Sequence, residues 1–354
     1  AGKISLISTE QGVGINNAGQ VFASAGHIKI SANGELQNSG AVVAQHKEDT
    51  NQATLAITAT ELNNSGSISS LAQQSFQTSS INNTGLIATS AELNIRNTAK
   101  IQNQGELNAG RFDIETTELK NKAGQIVQTG LQDLAIEAKR SINSDKGLIG
   151  YTEVDTAPNT GTGGGQTGGN GTANQEAPTT ATDGGSTSSA NTPITASFAQ
   201  GKIQVDSIEN EAGNITANGG VDLTVTESLN NTATLNLNIL DVKGDYIRNQ
   251  GVLSATTLTA QVENVDNNIG NIYSQNADIQ VQQLNNQAGV IQAQNRLNLN
   301  VQNFLNNKAG QITAINLINI FDNNQNTLTI DNTQAGKILS TGDIRLQSKK
   351  LQHT

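Results

Sequence analysis

Leu36-Gln37-Asn38-Ser39-Gly40-Ala41-Val42 returns as Leu62-Asn63-Asn64-Ser65-Gly66-Ser67-Ile68 and again as Ile81-Asn82-Asn83-Thr84-Gly85-Leu86-Ile87. The phrase is an aliphatic residue, one variable residue, Asn, one variable residue, Gly, and a second aliphatic two positions on. It recurs around Asn17 and Gly19, Asn103 and Gly105, Asn249 and Gly251, and Asn286 and Gly289. Some copies carry an extra residue before the glycine, as in Leu119 to Gly124, Asn307 to Gly310 and Ile330 to Gly336. Gly251, Gly270 and Gly289 fall about nineteen residues apart, a period at which one repeat is one supersecondary unit and stacked neighbours share a core.

Between successive phrases lies a second alternating pair: Ile28-Lys29-Ile30, Phe112-Asp113-Ile114, Leu134-Ala135-Ile136, Leu223-Thr224-Val225, Leu297-Asn298-Leu299. Alternation with period two marks a strand with one buried face. Each repeat therefore supplies two or three strands, expected to be two to five residues long and separated by turns. The fold class that follows is all-β: a right-handed parallel β-helix of about 19–20 residues per coil. Fourteen or so coils at about 4.8 Å each would extend on the order of 70 Å.

Stacking would bring the asparagines into one row, since Asn121, Asn210, Asn231, Asn267 and Asn332 hold the same place as those already named. An amide both donates and accepts, so stacked copies can form a ladder. The glycines after them, Gly40 or Gly289 for example, are expected to turn a corner that needs positive φ. This corner ladder accounts for Asn17, Gly19, Asn38, Gly40, Asn64, Gly66, Asn83, Gly85, Asn103, Gly105, Asn249, Gly251, Asn286, Gly289, Asn307 and Gly310 as structural residues with no binding role.

Composition bounds the alternatives. Only 34% of the 354 residues are hydrophobic and 3% aromatic, which suits a thin solenoid better than a spherical domain. A net charge of −10 opposes a nucleic-acid partner, because phosphate binding needs clustered Lys and Arg. No apolar run has membrane-spanning length. The absence of Cys suits a chain that crosses an envelope unfolded. The chain opens in mid-repeat without a signal peptide, as an excised piece of a longer protein would.

The repeat stops between 152 and 193, where Gly, Thr, Ser, Asn and Pro dominate, and resumes at Gly201-Lys202-Ile203. The organisation read from this is a shaft over 1–151, a flexible insertion over 152–193 and continuation of the shaft over 194–354. A partner-binding or glycan-bearing loop, with Asn170 as its accessible sequon, is the alternative for the insertion. Two shorter expansions, 45–51 and 321–326, read as outward turns. His46, Glu48 and Asp49 could in principle hold a metal, but three such residues on one polar loop are more often just solvated, and neither metal nor cofactor is assigned.

Catalysis finds little support. Polysaccharide-cleaving solenoids need clustered carboxylates, whereas Asp113, Glu115, Glu118, Asp133 and Glu137 are scattered in sequence and aromatic sugar platforms are scarce. His27, His46 and His353 are too far apart in sequence to suggest a triad or zinc site.

The opening Gly2-Lys3-Ile4-Ser5-Leu6-Ile7-Ser8-Thr9-Glu10-Gln11-Gly12-Val13-Gly14-Ile15, followed by Asn-Asn-x-Gly repeats, resembles the filamentous haemagglutinin family of bacterial two-partner secretion exoproteins. The resemblance is to the haemagglutinin-repeat shaft and spans the chain outside 152–193. It implies a secreted or cell-surface rod of a Gram-negative bacterium, exported unfolded through an outer-membrane β-barrel partner. Such a rod extends and presents an adhesive region or a toxin used in contact-dependent growth inhibition. The alternative within the same family is that this stretch itself carries the surface that meets a receptor on a target cell.

Overall fold

Aliphatic residues at matching places in the repeat leave the chain one economical solution, which is to lay each coil on the last so that like side chains stack. The computed structural model describes residues 3–45, 54–130, 132–144, 147–151, 201–216, 220–323 and 327–353. The described residues contain strands and no helix, and all pairings are parallel within one continuous 27-stranded sheet. The chain is an all-β solenoid of about 14 turns.

Each coil has three strand segments: one ending at the ladder asparagine, one following the glycine, and a third that leads back. Every segment contributes an interior column. Leu36, Leu62, Ile81, Ile101 and Leu119 succeed one another in register ahead of the asparagine. Val42, Ile68, Ile87, Leu107 and Ile126 do so after the glycine. Ile30, Ile57, Phe76, Ile95 and Ile114 form the third column. All fifteen are between 0% and 2% exposed, and burial of each such side chain is worth about 1.5–3 kcal/mol. Between coils the backbone amides find partners regularly, as where Ala41 N donates to Gly19 O (2.8 Å), Ser67 N to Gly40 O and Leu86 N to Gly66 O (both 2.9 Å).

The strands are longer than the repeat suggests. Leu86–Asn103 runs for 18 residues and Glu106–Lys122 for 17, crossing two corners of the coil without leaving the sheet. Gentle bends keep neighbouring coils paired there, with local register shifts such as that between Ile95 and Thr98, where Asn97 adopts φ 59°. The asparagine–glycine corner is the sharp one.

Residues 1–153 and 198–354 form one unit. Tyr151, which ends one post-glycine strand, and Gly201, which begins the next third strand, are separated in sequence by 152–200. The coils before and after make the same connection with residues 129–133 and 217–220. The expected insertion over 152–193, Asn170 within it, His46, Glu48 and Asp49, and the turn residues 324–326 lie outside the described residues.

Candidate functional site: the asparagine ladder and its corner

A buried primary amide must both donate and accept, and stacking at the spacing of a parallel sheet lets identical amides satisfy one another. Asn17 Nδ2 donates to Asn38 Oδ1 at 2.7 Å, Asn38 to Asn64 at 2.7 Å, Asn64 to Asn83 at 2.8 Å, Asn83 to Asn103 at 2.8 Å and Asn103 to Asn121 at 2.9 Å. Further along, Asn231 donates to Asn249, Asn249 to Asn267 and Asn267 to Asn286, each at 2.8 Å. Asn286 then donates to Asn307 at 2.7 Å and Asn307 to Asn332 at 2.6 Å. The same nitrogen also reaches carbonyls on both sides of the corner: Asn286 Nδ2 lies 3.3 Å from Gly289 O in its own coil and 3.1 Å from Gln311 O in the next. The side chain thus ties the corner of one coil to the following strand of its neighbour. Asn38, Asn64, Asn83, Asn103, Asn249, Asn286 and Asn307 are all buried.

Glycine is needed at the corner for a different reason than left-handed backbone. Among the described residues the positive-φ glycines are Gly12 and Gly220, not Gly40 or Gly289. The demand comes from close approach of stacked backbone. A Cβ on Gly40 would lie 2.0 Å from Gly19 O, on Gly66 2.1 Å from Gly40 O, on Gly85 2.1 Å from Gly66 O and on Gly105 2.1 Å from Gly85 O. On Gly251 it would meet Ala233 O at 2.0 Å, on Gly289 Asn267 O at 2.1 Å and on Gly310 Asn286 O at 2.0 Å. Gly19, on the first coil, has nothing within 4 Å.

Left-handed backbone does occur, one residue earlier and only where the corner is longer. Ala123 (φ 56°), Ala212 (54°), Ile269 (60°), Ala288 (53°), Ala309 (52°) and Ala335 (61°) each precede a glycine. In four of these coils a residue beside the ladder amide accepts the second corner amide: Asp266 Oδ1 from Asn268 N, Asn285 Oδ1 from Gln287 N, Asn306 Oδ1 from Lys308 N and Asp331 Oδ1 from Thr333 N. These outer residues form a second row, Asn285 Nδ2 donating to Asp266 Oδ1 and Asn306 Nδ2 to Asn285 Oδ1, both at 2.9 Å. Burial pulls the Asp331 carboxyl upward. Hydrogen bonds from Thr333 and Lys308, with the Lys308 charge, outweigh that and hold it below the ordinary 3.8.

Two members of the ladder escape the repeat phrase. Asn143 accepts from Asn121 at 3.0 Å, but its coil carries Ser141 where neighbours have Leu119 and Ile208, which hides the aliphatic signal. His353 stands in register beyond Asn332, with its Nδ1 2.9 Å from Asn332 Nδ2. The register itself, counted from Ile330-Asp331-Asn332 to Leu351-Gln352-His353, is the signal that identifies it. His27 precedes the strand Ile28–Ser31, far from that end of the solenoid.

The acids that are scattered in sequence are partly gathered by the fold. Glu115 and Glu137 stand beside each other on adjacent coils, and with Asp113, Asp222, Arg96 and Lys202 they line a shallow groove of about 400 Å³. Arg96 pairs with Asp113 at 2.5 Å, and Lys202 with Asp133 at 3.1 Å. Glu118 pairs with Lys120 instead. Among the described residues no three His, Asp or Glu side chains converge as a metal site, and no helix is long and apolar enough to cross a membrane.

Compared with known proteins, the chain is similar to Toxin CdiA of Yersinia pestis, with 60% identity over 42 residues. That match covers 12% of this chain and 1% of that protein, so the chain spans only a small part of the relative it resembles. No family model matches, and no solved structure matches.

Proposed function

We propose that this chain is a shaft segment of a large two-partner secretion exoprotein, displayed at or released from the surface of a Gram-negative bacterium. In this reading it extends and presents an adhesive or toxin-delivering region and performs no catalysis itself. The observation that carries the proposal is the ladder: its side chains are consumed in joining coil to coil, which is what a structure selected for reach requires. The stretch shared with Toxin CdiA and the filamentous-haemagglutinin-like repeat phrase support the same reading. Its expected partner in export is an outer-membrane β-barrel transporter.

The test is to insert or remove whole coils within Val221–Asn306 in the full-length protein. A shaft should keep delivery or adhesion while the distance at which it acts follows the coil number. Abolition of activity by every such change, with the fold intact, would remove the spacer role.

One observation favours the alternative that the segment itself meets a receptor. Ile269, 63% exposed, holds φ 60° at a corner position where Ala123, Ala212, Ala288 and Ala309 stand in other coils. A β-branched residue kept in a strained and solvated place is typical of a contact residue. Binding of the isolated chain to target cells, lost in Ile269→Ala, would establish this second role.

A further inference from the structure

The ladder is interrupted once among the described residues, and a defect in the aliphatic interior sits beside the interruption. Asn143 and Asn210 stand side by side in register. Yet Asn210 Oδ1, in a residue 0% exposed, receives no hydrogen bond from any described residue. Asn143 Nδ2 is directed to Asn214 O at 3.1 Å. The column one step inward runs from Leu119 through Ser141, 2% exposed, to Ile208. This interface therefore lacks a buried amide bond and a branched aliphatic contact together, while its backbone pairing continues.

The interior also changes character across it. Thr98, Thr116 and Ala138 occupy a column that becomes Val205, Val225 and Val242 on the far side. Buried side-chain oxygens without a hydrogen-bond partner occur on both sides, at Gln74, Thr78 and Thr98 before the interface and at Asn230, Asp241 and Ser274 after it, so the asymmetry lies in this column, where hydroxyl and small side chains give way to valine. In a solenoid, stability is close to a sum of coil terms and nearest-neighbour interfaces, so the stack parts first at its weakest interface. Unpaired buried polar atoms and missing aliphatic volume are what weaken an interface.

We propose that the interface between the coils of Asn143 and Asn210 is a built-in boundary between two cooperative units, and that the N-terminal unit opens at lower stress than the C-terminal one. The N-terminal coils can then unravel or refold while those beyond Ile203 stay stacked. The boundary belongs to the side chains of this chain and holds whatever the shaft presents.

Hydrogen exchange of the whole chain in rising denaturant, read by mass spectrometry, tests this. Peptides within 55–128 are expected to lose protection at lower denaturant than peptides within 221–306. Ser141→Leu, which refills the column, should slow exchange in the N-terminal peptides by roughly tenfold and draw the two transitions together. Ser141→Val should do so to a smaller degree if leucine proves too large to fold. Loss of protection by both sets at one denaturant concentration in the unaltered chain overturns the proposal. So does a boundary located elsewhere, or one that neither substitution moves.

Discussion

A methyl group on Gly289 would lie 2.1 Å from the carbonyl oxygen of Asn267, although Gly289 itself is not in left-handed backbone. The glycine is there because two corners approach each other through the space a side chain would fill. Gly289→Ala is expected to cost a few kcal/mol, since backbone on both sides must shift. Gly19→Ala should be close to neutral, because nothing lies within 4 Å of that position. Equal melting temperatures for the two variants would contradict the close-approach account.

Asn286 donates to three oxygens and accepts from Asn267 while 0% exposed. Its replacement by Ala leaves donors and acceptors of both neighbours dry, for a loss of about 2–4 kcal/mol. Asn17, half-buried at the start of the ladder, should cost less on the same change. Denaturant midpoints of the two variants give the comparison directly.

At Ile269 the expectation has the opposite sign. Glycine adopts φ 60° without the Cβ penalty, and the exposed side chain gives up little burial. Ile269→Gly should therefore stabilise by about 1 kcal/mol. A lowered melting temperature would show that the isoleucine side chain is held by contacts that outweigh its backbone strain.

Asp331 makes stability depend on pH in a defined direction. Burial opposes its charge, but Thr333 and Lys308 favour the carboxylate more strongly, and the folded pKa lies below 3.8. The unfolded chain then takes up the proton first as pH falls. The contribution is complete above the unfolded value and disappears as pH drops through the folded one. Asp331→Asn should remove this component, so that the wild type and the variant converge in stability at the acid end of a pH series.

Replacing residues 152–200 by a turn as short as 129–133 should leave the melting temperature within about two degrees, since none of the described strands lies within them. The pairings of Leu148–Tyr151 with Asn214–Thr216 and of Leu134–Ser144 with Gly201–Glu211 already join the coils on either side. A large drop in melting temperature would mean that the removed residues contribute to the stack.

What could be read from the sequence followed from periodicity. Leu36, Leu62 and Ile81 announce an interior column because burial demands an aliphatic at one fixed place, and the asparagines announce a row because they sit beside it. Features that depend on distances between coils were less legible. Gly289 in a sequence looks like a positive-φ residue, and only the stacked neighbour reveals the carbonyl that excludes a Cβ. The left-handed residue turned out to be Ala288, a residue type that carries no such signal on its own. Asn143 is hidden in the sequence because Ser141 breaks the aliphatic phrase. Glu115 and Glu137, distant in sequence, become neighbours only through register.

The ladder also has a direction. At each rung the Nδ2 group of one coil points to the Oδ1 atom of the following coil, from Asn17 through Asn143 and again from Asn210 through Asn332. The amide dipoles therefore add head to tail within each run, polarising one another as they lengthen. Each rung within a run offers its Oδ1 to the coil before it and its Nδ2 group to the coil after it. A coil could join this row only with the same polarity, since a reversed amide would set donor against donor on one side and acceptor against acceptor on the other.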